Sequence, residues 1–181
     1  MVVCTSNKIN VTNTSIEVVG NLKVLSCTII LTNNNSAKVS ALYRCHDCDK
    51  IDFIDNLKKY MLQNININTH IIAGDFNIDL INLDSSSEEY LNNYLESGFL
   101  PYFNKVTKPN VLDHSRGTCI DNIFVKTNLT NIKSIKYMNM LPDQFLLFLA
   151  MKIEKNKISD NSGYCTKINY NKLVKLGKSW N

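Results

Sequence analysis

The stretch Thr69–Leu80, THIIAGDFNIDL, decides how this chain folds. His70-Ile71-Ile72-Ala73 is a short, continuous apolar run and predicts a buried strand. The run breaks at Gly74, and Asp75-Phe76-Asn77 follow. A carboxylate and an amide therefore stand two residues apart where a strand ends. In α/β proteins ligands collect at the C-terminal ends of strands. Gly, Asp and Asn also form turns for local reasons, so Gly-Asp-x-Asn alone reads first as a turn.

Upstream, Asp49–Gln63 repeats Ile51, Ile54, Leu57 and Met61 at helical spacing, with Asp52, Asp55, Lys58 and Lys59 on other faces. Asp47 or Asp49 suits its N-cap. Before it, Ile16–Val19, Leu22–Leu31 and Ala37–Tyr43 read as three strands of a meander, turned at Gly20-Asn21 and at the Thr32–Ser36 loop. Residues 1–15 are polar and without period, which predicts a weakly attached start. A strand, a helix and the strand 69–74 in that order predict a parallel pair joined by a right-handed crossover.

Downstream, Ser85–Ser97 predicts a second helix with Tyr90, Leu91, Tyr94 and Leu95 inward. Ser85 with Glu88, or Ser86 with Glu89, can form a capping box, and Gly98 is a stop signal. Phe99–Phe103 reads as an apolar loop. Thr118–Val125, Ile132–Met138 and Phe145–Ile153 suit strands. Residues 154–181 are Lys-rich and polar, a linker or tail with one short helical stretch at Tyr164–Leu176. Residues 1–153 thus read as one domain.

The 181 residues are 44% hydrophobic and 20% charged, enough for one globular core. A net charge of +4 permits a phosphate-rich partner without requiring one. The six cysteines (4, 27, 45, 48, 119 and 165) are scattered, and the opening residues contain no apolar signal core. Both features point to free thiols in a reducing compartment. Cys45-His46-Asp47-Cys48 suggests zinc, but a structural site needs a second ligand pair and none follows. A loop into a helix is the plainer reading. No apolar run is long enough to span a bilayer.

Asp75, Asp121 and Asp143 fall at or near strand ends, with Asn77 beside the first and Tyr43 ending an earlier strand. Carboxylates with amide and hydroxyl support suit a hard cation such as Mg²⁺. Mg²⁺ in turn suits phosphoryl chemistry, because it neutralises non-bridging and leaving oxygens. Any one of these aspartates alone reads more simply as a turn or structural residue. Asp121 inside a strand is costly unless it is paired.

GDFNIDL, TCIDNIFV and PDQFLLF, in this order, resemble the endonuclease/exonuclease/phosphatase superfamily. More narrowly, Tyr43-Arg44 before a helix, IIAGDFNIDL, YLNNYLESGFL, NKVTKP, TCIDNIFV and the tail INYNKL…W resemble the endonuclease domain and linker of a LINE-type (non-LTR) retrotransposon. The resemblance implies an α/β fold: a two-sheet β-sandwich flanked by helices, incomplete here at its N-terminus. It implies Mg²⁺-dependent hydrolysis of DNA phosphodiesters. By motif, Asp75 holds or activates the attacking water, and Asn77 and Tyr43 contact the scissile phosphate. Asp121 orients a catalytic histidine, and Asp143 joins the metal site.

Two departures bear on activity. Gln144 stands where that histidine is expected; Gln can bond a phosphate but cannot carry a proton or an imidazolium charge. Such a loss removes on the order of 10²–10⁴ in rate. The opening strands with their early Asn and metal-binding Glu have no counterpart, and Glu17 lies in a strand that matches a later one. The expectation is a scaffold retained with weak or lost hydrolysis. Three rivals are a non-catalytic DNA- or protein-binding remnant, a small-substrate phosphoesterase, and a chain that does not fold alone because a sheet edge is exposed.

Overall fold

The computed structural model describes residues 6, 9–32, 35–110, 113, 116–130, 132–137 and 145–151. Its elements are β1 (Val11–Val19), β2 (Leu22–Thr32), β3 (Asn35–Tyr43), α1 (Lys50–Gln63), β4 (His70–Asp75), α2 (Ser85–Glu96), β5 (Leu100–Pro101), β6 (Lys108–Pro109), β7 (Gly117–Thr118), β8 (Asp121–Lys126), β9 (Ile132–Tyr137) and β10 (Leu146–Met151). The architecture is a mixed α/β one. A six-stranded sheet runs in the order β1-β2-β3-β4-β8-β5, and β9/β10 and β6/β7 form two smaller antiparallel ladders. Among the described residues, β9/β10 represents the second sheet, with β10 against β8.

The expected meander is present, since β1/β2 and β2/β3 pair antiparallel. The crossover through α1 makes β3 and β4 parallel, as the β-helix-β order requires. Gly74 is fixed by this pairing: a Cβ there would lie 2.0 Å from the Leu42 carbonyl oxygen. Only glycine lets β3 approach that closely.

Both helices cover one face of the sheet. Leu22, Val24, Leu42, Ile72 and Phe124 meet Ile54, Leu57, Tyr60, Tyr90 and Tyr94 in one apolar cluster. Its centre is aromatic: Tyr94 stacks on Phe124 with ring centroids 3.6 Å apart, and Phe76 meets both edge-on. Side chains of this size dominate core energetics, each contributing about 1.5–3 kcal/mol on burial. A buried polar chain lies beside it. Ser40 Oγ is 2.7 Å from the Tyr60 hydroxyl and 2.8 Å from His70 Nε2, and Ser26 joins them.

Several details differ from the sequence reading. Val11–Ser15 belong to β1 rather than to a loose start, and β2 and β3 run further into the expected Thr32–Ser36 loop. Ile51 is 63% exposed; α1 instead buries Phe53, Ile54, Leu57, Tyr60 and Met61. The N-cap of α1 is Asp49, which accepts from the Asp52 N–H. The cap of α2 is Asp84, not a serine box: its carboxylate takes the Ser87 N–H and hydroxyl and pairs with Lys50. Leu95 is exposed, and Ser87 and Asn93 are buried in its stead. Gly98, at φ +83°, ends α2 in a Schellman turn: the Phe99 N–H reaches Tyr94 O and the Gly98 N–H reaches Leu95 O. The expected loop at Phe99–Phe103 holds β5, and Thr118–Val125 divides between β7 and β8. The tail, residues 154–181, lies outside the described residues.

Candidate active site

Three of the expected site residues form one row across the sheet. Tyr43 is the register partner of Asp75 in β3/β4, and Asp75 is the partner of Asp121 in β4/β8. Opposed residues project from the same face. Leu42, next to Tyr43, points into the helix-covered core, so the row faces the other side. There Ala41, Tyr43, Ala73 and Asp75 line an open groove of about 510 Å³, and Tyr43 is 57% exposed.

The carboxylates of the row have unequal surroundings. Asp75 Oδ1 accepts the Asn77 N–H at 3.1 Å, an Asx turn that begins the loop. Asp121 opens β8, and its backbone N–H donates to Thr107 Oγ1 at 3.1 Å. Its Oδ2 is buried and has no hydrogen-bond partner among the described residues. The pairing that would offset a carboxylate inside a strand is not found among the described residues, and the side chain faces another carboxylate instead. Burial first, and the charge of Asp75 second, push the Asp121 pKa up to about 6, against the pull of Thr107 and Lys108.

Asn77 sits just beyond the row in the left-handed region, at φ +49°, which Asn tolerates better than other non-glycine residues. Its Nδ2 donates to the Arg44 carbonyl at 2.7 Å, and the Arg44 Nη1 donates to the Asn77 carbonyl at 3.2 Å. The arrangement therefore brings Tyr43, Asp75, Asn77 and Asp121 to one end of the sheet. Asp143 and Gln144 lie outside the described residues. The residue that follows them, Phe145, is fixed nearby: its N–H donates to the Thr107 carbonyl at 3.0 Å.

Sequence reading assigned no role to three residues of this end. Arg44 is 7% exposed and holds carbonyls of Asn77 and Cys48. Asp79 ties the loop after Asn77 to the β7–β8 connection by accepting the Cys119 N–H at 2.9 Å, and it accepts the Ile81 N–H of its own loop at 3.0 Å. Thr107, fully buried, links Asp121, Thr118 and Phe145. The one sequence signal was that Arg44 and Thr107 fall inside the stretches YR and NKVTKP.

Among the described residues no three His, Cys, Asp or Glu side chains form a group that could hold a metal. The Cys45–Cys48 segment is a turn, closed by the Cys48 N–H to Cys45 O at 3.1 Å. Cys27, Cys45, Cys48 and Cys119 are free thiols. Glu17 is engaged with Lys38 at 2.7 Å. The donors that Asp75 and Asp121 supply are hard oxygens, one of them, Asp121 Oδ2, buried and without a partner among the described residues. That fits in kind the one or two carboxylates with which Mg²⁺ is held when a phosphate and waters complete its shell.

No family model matches the chain, and no curated protein matches it. Solved structures do. The endonuclease domain of TRAS1, a telomere-specific non-LTR retrotransposon, is similar with a TM-score of 0.57 at 12% identity, over 83% of this chain and 72% of that domain. A 3′-5′ exonuclease (NExo) from Neisseria meningitidis is similar with a TM-score of 0.60 at 14% identity, over 80% and 71%. An endonuclease/exonuclease/phosphatase family protein from Leptotrichia buccalis gives 0.52 at 19% identity, over 72% and 54%. No helix among the described residues is long and apolar enough to cross a membrane. Identities this low carry the fold and nothing finer, and the fold they carry is the endonuclease/exonuclease/phosphatase one.

Proposed function

We propose that this chain is a retrotransposon-type, endonuclease-like module that engages DNA phosphodiesters at the end of β3 and β4, with hydrolysis weak or lost. One observation carries the reading: Tyr43, Asp75 and Asp121 share a register row, and Asn77 is fixed at its edge. The nuclease names of two structural neighbours and the ordered motifs support the substrate class.

In this reading Tyr43 and Asn77 bond non-bridging phosphate oxygens, the first through a hydroxyl and the second through an amide N–H. Asp75 is the carboxylate that orients a water toward phosphorus. Asp143 and Gln144 complete the set by resemblance. Mg²⁺, when bound, supplies charge neutralisation at the phosphate. Asp121 is the residue that would orient a histidine.

Nicking of supercoiled plasmid with Mg²⁺ and with EDTA, for the parent, Asp75→Ala and Gln144→His, tests this. A silent parent and a Mg²⁺-dependent Gln144→His variant support the whole reading. Parent nicking that Asp75→Ala abolishes keeps the nuclease and removes the impairment. If all three stay silent but bind DNA while folded, the binding remnant replaces the enzyme.

A further inference from the structure

Arg44 is the strongest structural anomaly outside the row. It is a buried guanidinium that makes no ion pair among the described residues. Burying a charge without a counter-charge costs several kcal/mol unless hydrogen bonds replace the lost water. Here main-chain carbonyls do so in part. Nη2 donates to Cys48 O at 2.7 Å and Nη1 to Asn77 O at 3.2 Å, while Nε is buried without a partner among the described residues. A side chain kept only for packing could be apolar at lower cost.

The Arg44 backbone is bound to the same loop. Its N–H donates to Asp75 O at 3.0 Å, continuing the β3/β4 ladder one step past Tyr43. Its carbonyl receives Asn77 Nδ2 at 2.7 Å. Arg44 and Asn77 thus hold each other twice: main-chain oxygen to side-chain amide, and side-chain guanidinium to main-chain oxygen. The double clasp spans the one non-glycine residue of the loop with positive φ, Asn77 at +49°. It fixes both the peptide after Asn77 and the rotation of its amide. One of the two Nδ2 hydrogens is committed to Arg44, which leaves the other and Oδ1 oriented by the clasp.

We propose that Arg44 is a positioning residue for the phosphodiester site: it sets the Asn77 amide through the reciprocal Arg44–Asn77 clasp. Lys cannot substitute fully, because an ammonium does not present a planar fork to two carbonyls set on different loops. The proposal rests on the DNA reading above for what Asn77 binds, but the clasp itself is tested independently.

The experiment is a double-mutant cycle on the full chain: parent, Arg44→Met, Asn77→Ala and the pair. Each is measured for thermal melting, for affinity toward a short labelled DNA duplex, and for the side-chain amide NMR signal of Asn77. Arg44→Lys runs alongside and takes the place of Arg44→Met if the latter does not fold. The expected result is a cooperative melt in Arg44→Met, with the Asn77 amide signal shifted from the parent's, because the Nη1 bond that fixes the Asn77 peptide is gone while the main-chain carbonyl of residue 44 still faces Nδ2. Its DNA affinity falls by about the same factor as in Asn77→Ala, about 5-fold for one hydrogen bond, and the pair is no weaker. Arg44→Lys recovers part of both readouts. An Asn77 amide signal unmoved in a folded Arg44 variant overturns the proposal, as do losses that multiply in the pair. If Asn77→Ala binds DNA like the parent, the DNA reading fails, and the amide signal alone decides for or against the clasp.

Discussion

Asp75 and Asp121 stand directly opposite each other across the antiparallel β4/β8 ladder, two carboxylates at one register position. Like charges so placed are destabilising. The cost is concentrated on Asp121, because Asp75 Oδ1 is neutralised in part by the Asn77 N–H whereas Asp121 Oδ2 has no described partner.

Asp121→Asn should therefore stabilise the fold. A carboxyl raised from 3.8 to about 6 by folding disfavours the native state above pH 6. The native state binds the extra proton between those values, so the penalty is complete at pH 7.5 and fades as pH falls toward 4. The melting temperature of Asp121→Asn should exceed the parent's at pH 7.5, and the gap should narrow at pH 5. An equal gap at both values, or a lower melting temperature, would show that Asp121 is paired in solution.

The central strand and its consequences were legible because THIIAGDFN combines a short apolar run with a break, and both signals are local. The Gly98 stop was legible for the same reason. The α1 stripe is ambiguous at one edge: Ile51 and Phe53 both continue a helical period through Ile54 and Leu57, and only the sheet beneath decides between them. The α2 cap was hidden in a run of four candidate caps, Asp84 to Ser87, and Lys50 from another helix favours the aspartate. Two-residue strands such as β5 to β7 lie below the length at which alternation can be seen. Arg44, Asp79 and Thr107 act across 33, 40 and 14 residues of chain, and no local pattern encodes such contacts.

His70 should give the fold a pH dependence of the opposite sign. Its ring is buried against Tyr60 and Phe99, and Nε2 bonds Ser40. Burial first, with Lys38 and Lys126 adding repulsion, lowers its pKa to about 3. The unfolded chain then binds a proton below about pH 6.5 that the folded chain does not. Stability should fall by up to about 1.4 kcal/mol per unit as pH drops through this window. The urea midpoint at pH 7.0 and 5.5 measures it. The difference between those values should shrink in His70→Gln relative to the parent, and an unchanged difference would count against a neutral buried ring.

Gly74→Ala should be among the most damaging single substitutions. The added methyl would sit 2.0 Å from the Leu42 carbonyl oxygen, a main-chain atom that moves only with β3. Overpacking of this kind costs about 1–3 kcal/mol where side chains can yield, and more where backbone must. Denaturant unfolding should show a loss of at least about 2 kcal/mol, and the β3/β4 amide protons should exchange faster than those of β1/β2. A loss under about 0.5 kcal/mol would mean that the two strands are further apart in solution.

Thr107→Val tests how the site end is held together. The Thr107 side chain is fully buried, and its Oγ1 accepts the Asp121 N–H. Its main-chain N–H and carbonyl bond Thr118 and Phe145, so the residue joins β7, β8 and the start of β10 at one point. Valine keeps the shape and both main-chain bonds but offers no acceptor. The Asp121 N–H is then left half-buried and without this acceptor, at a cost of about 1–3 kcal/mol or less. In a domain of this size each kcal/mol lowers the melting temperature by about 2–4 °C. Thr107→Ser keeps the hydroxyl and should lose much less, because only a methyl group goes. The pair of variants separates hydrogen bonding from packing: a drop in Thr107→Val that exceeds the drop in Thr107→Ser assigns the loss to the hydroxyl, which accepts the Asp121 N–H at 3.1 Å and donates to the Thr118 carbonyl at 3.5 Å. Equal drops assign it to packing and leave Asp121 anchored by β8 alone. In the Gln144→His background the same ranking should appear in plasmid nicking, since a displaced Asp121 could no longer orient the introduced ring.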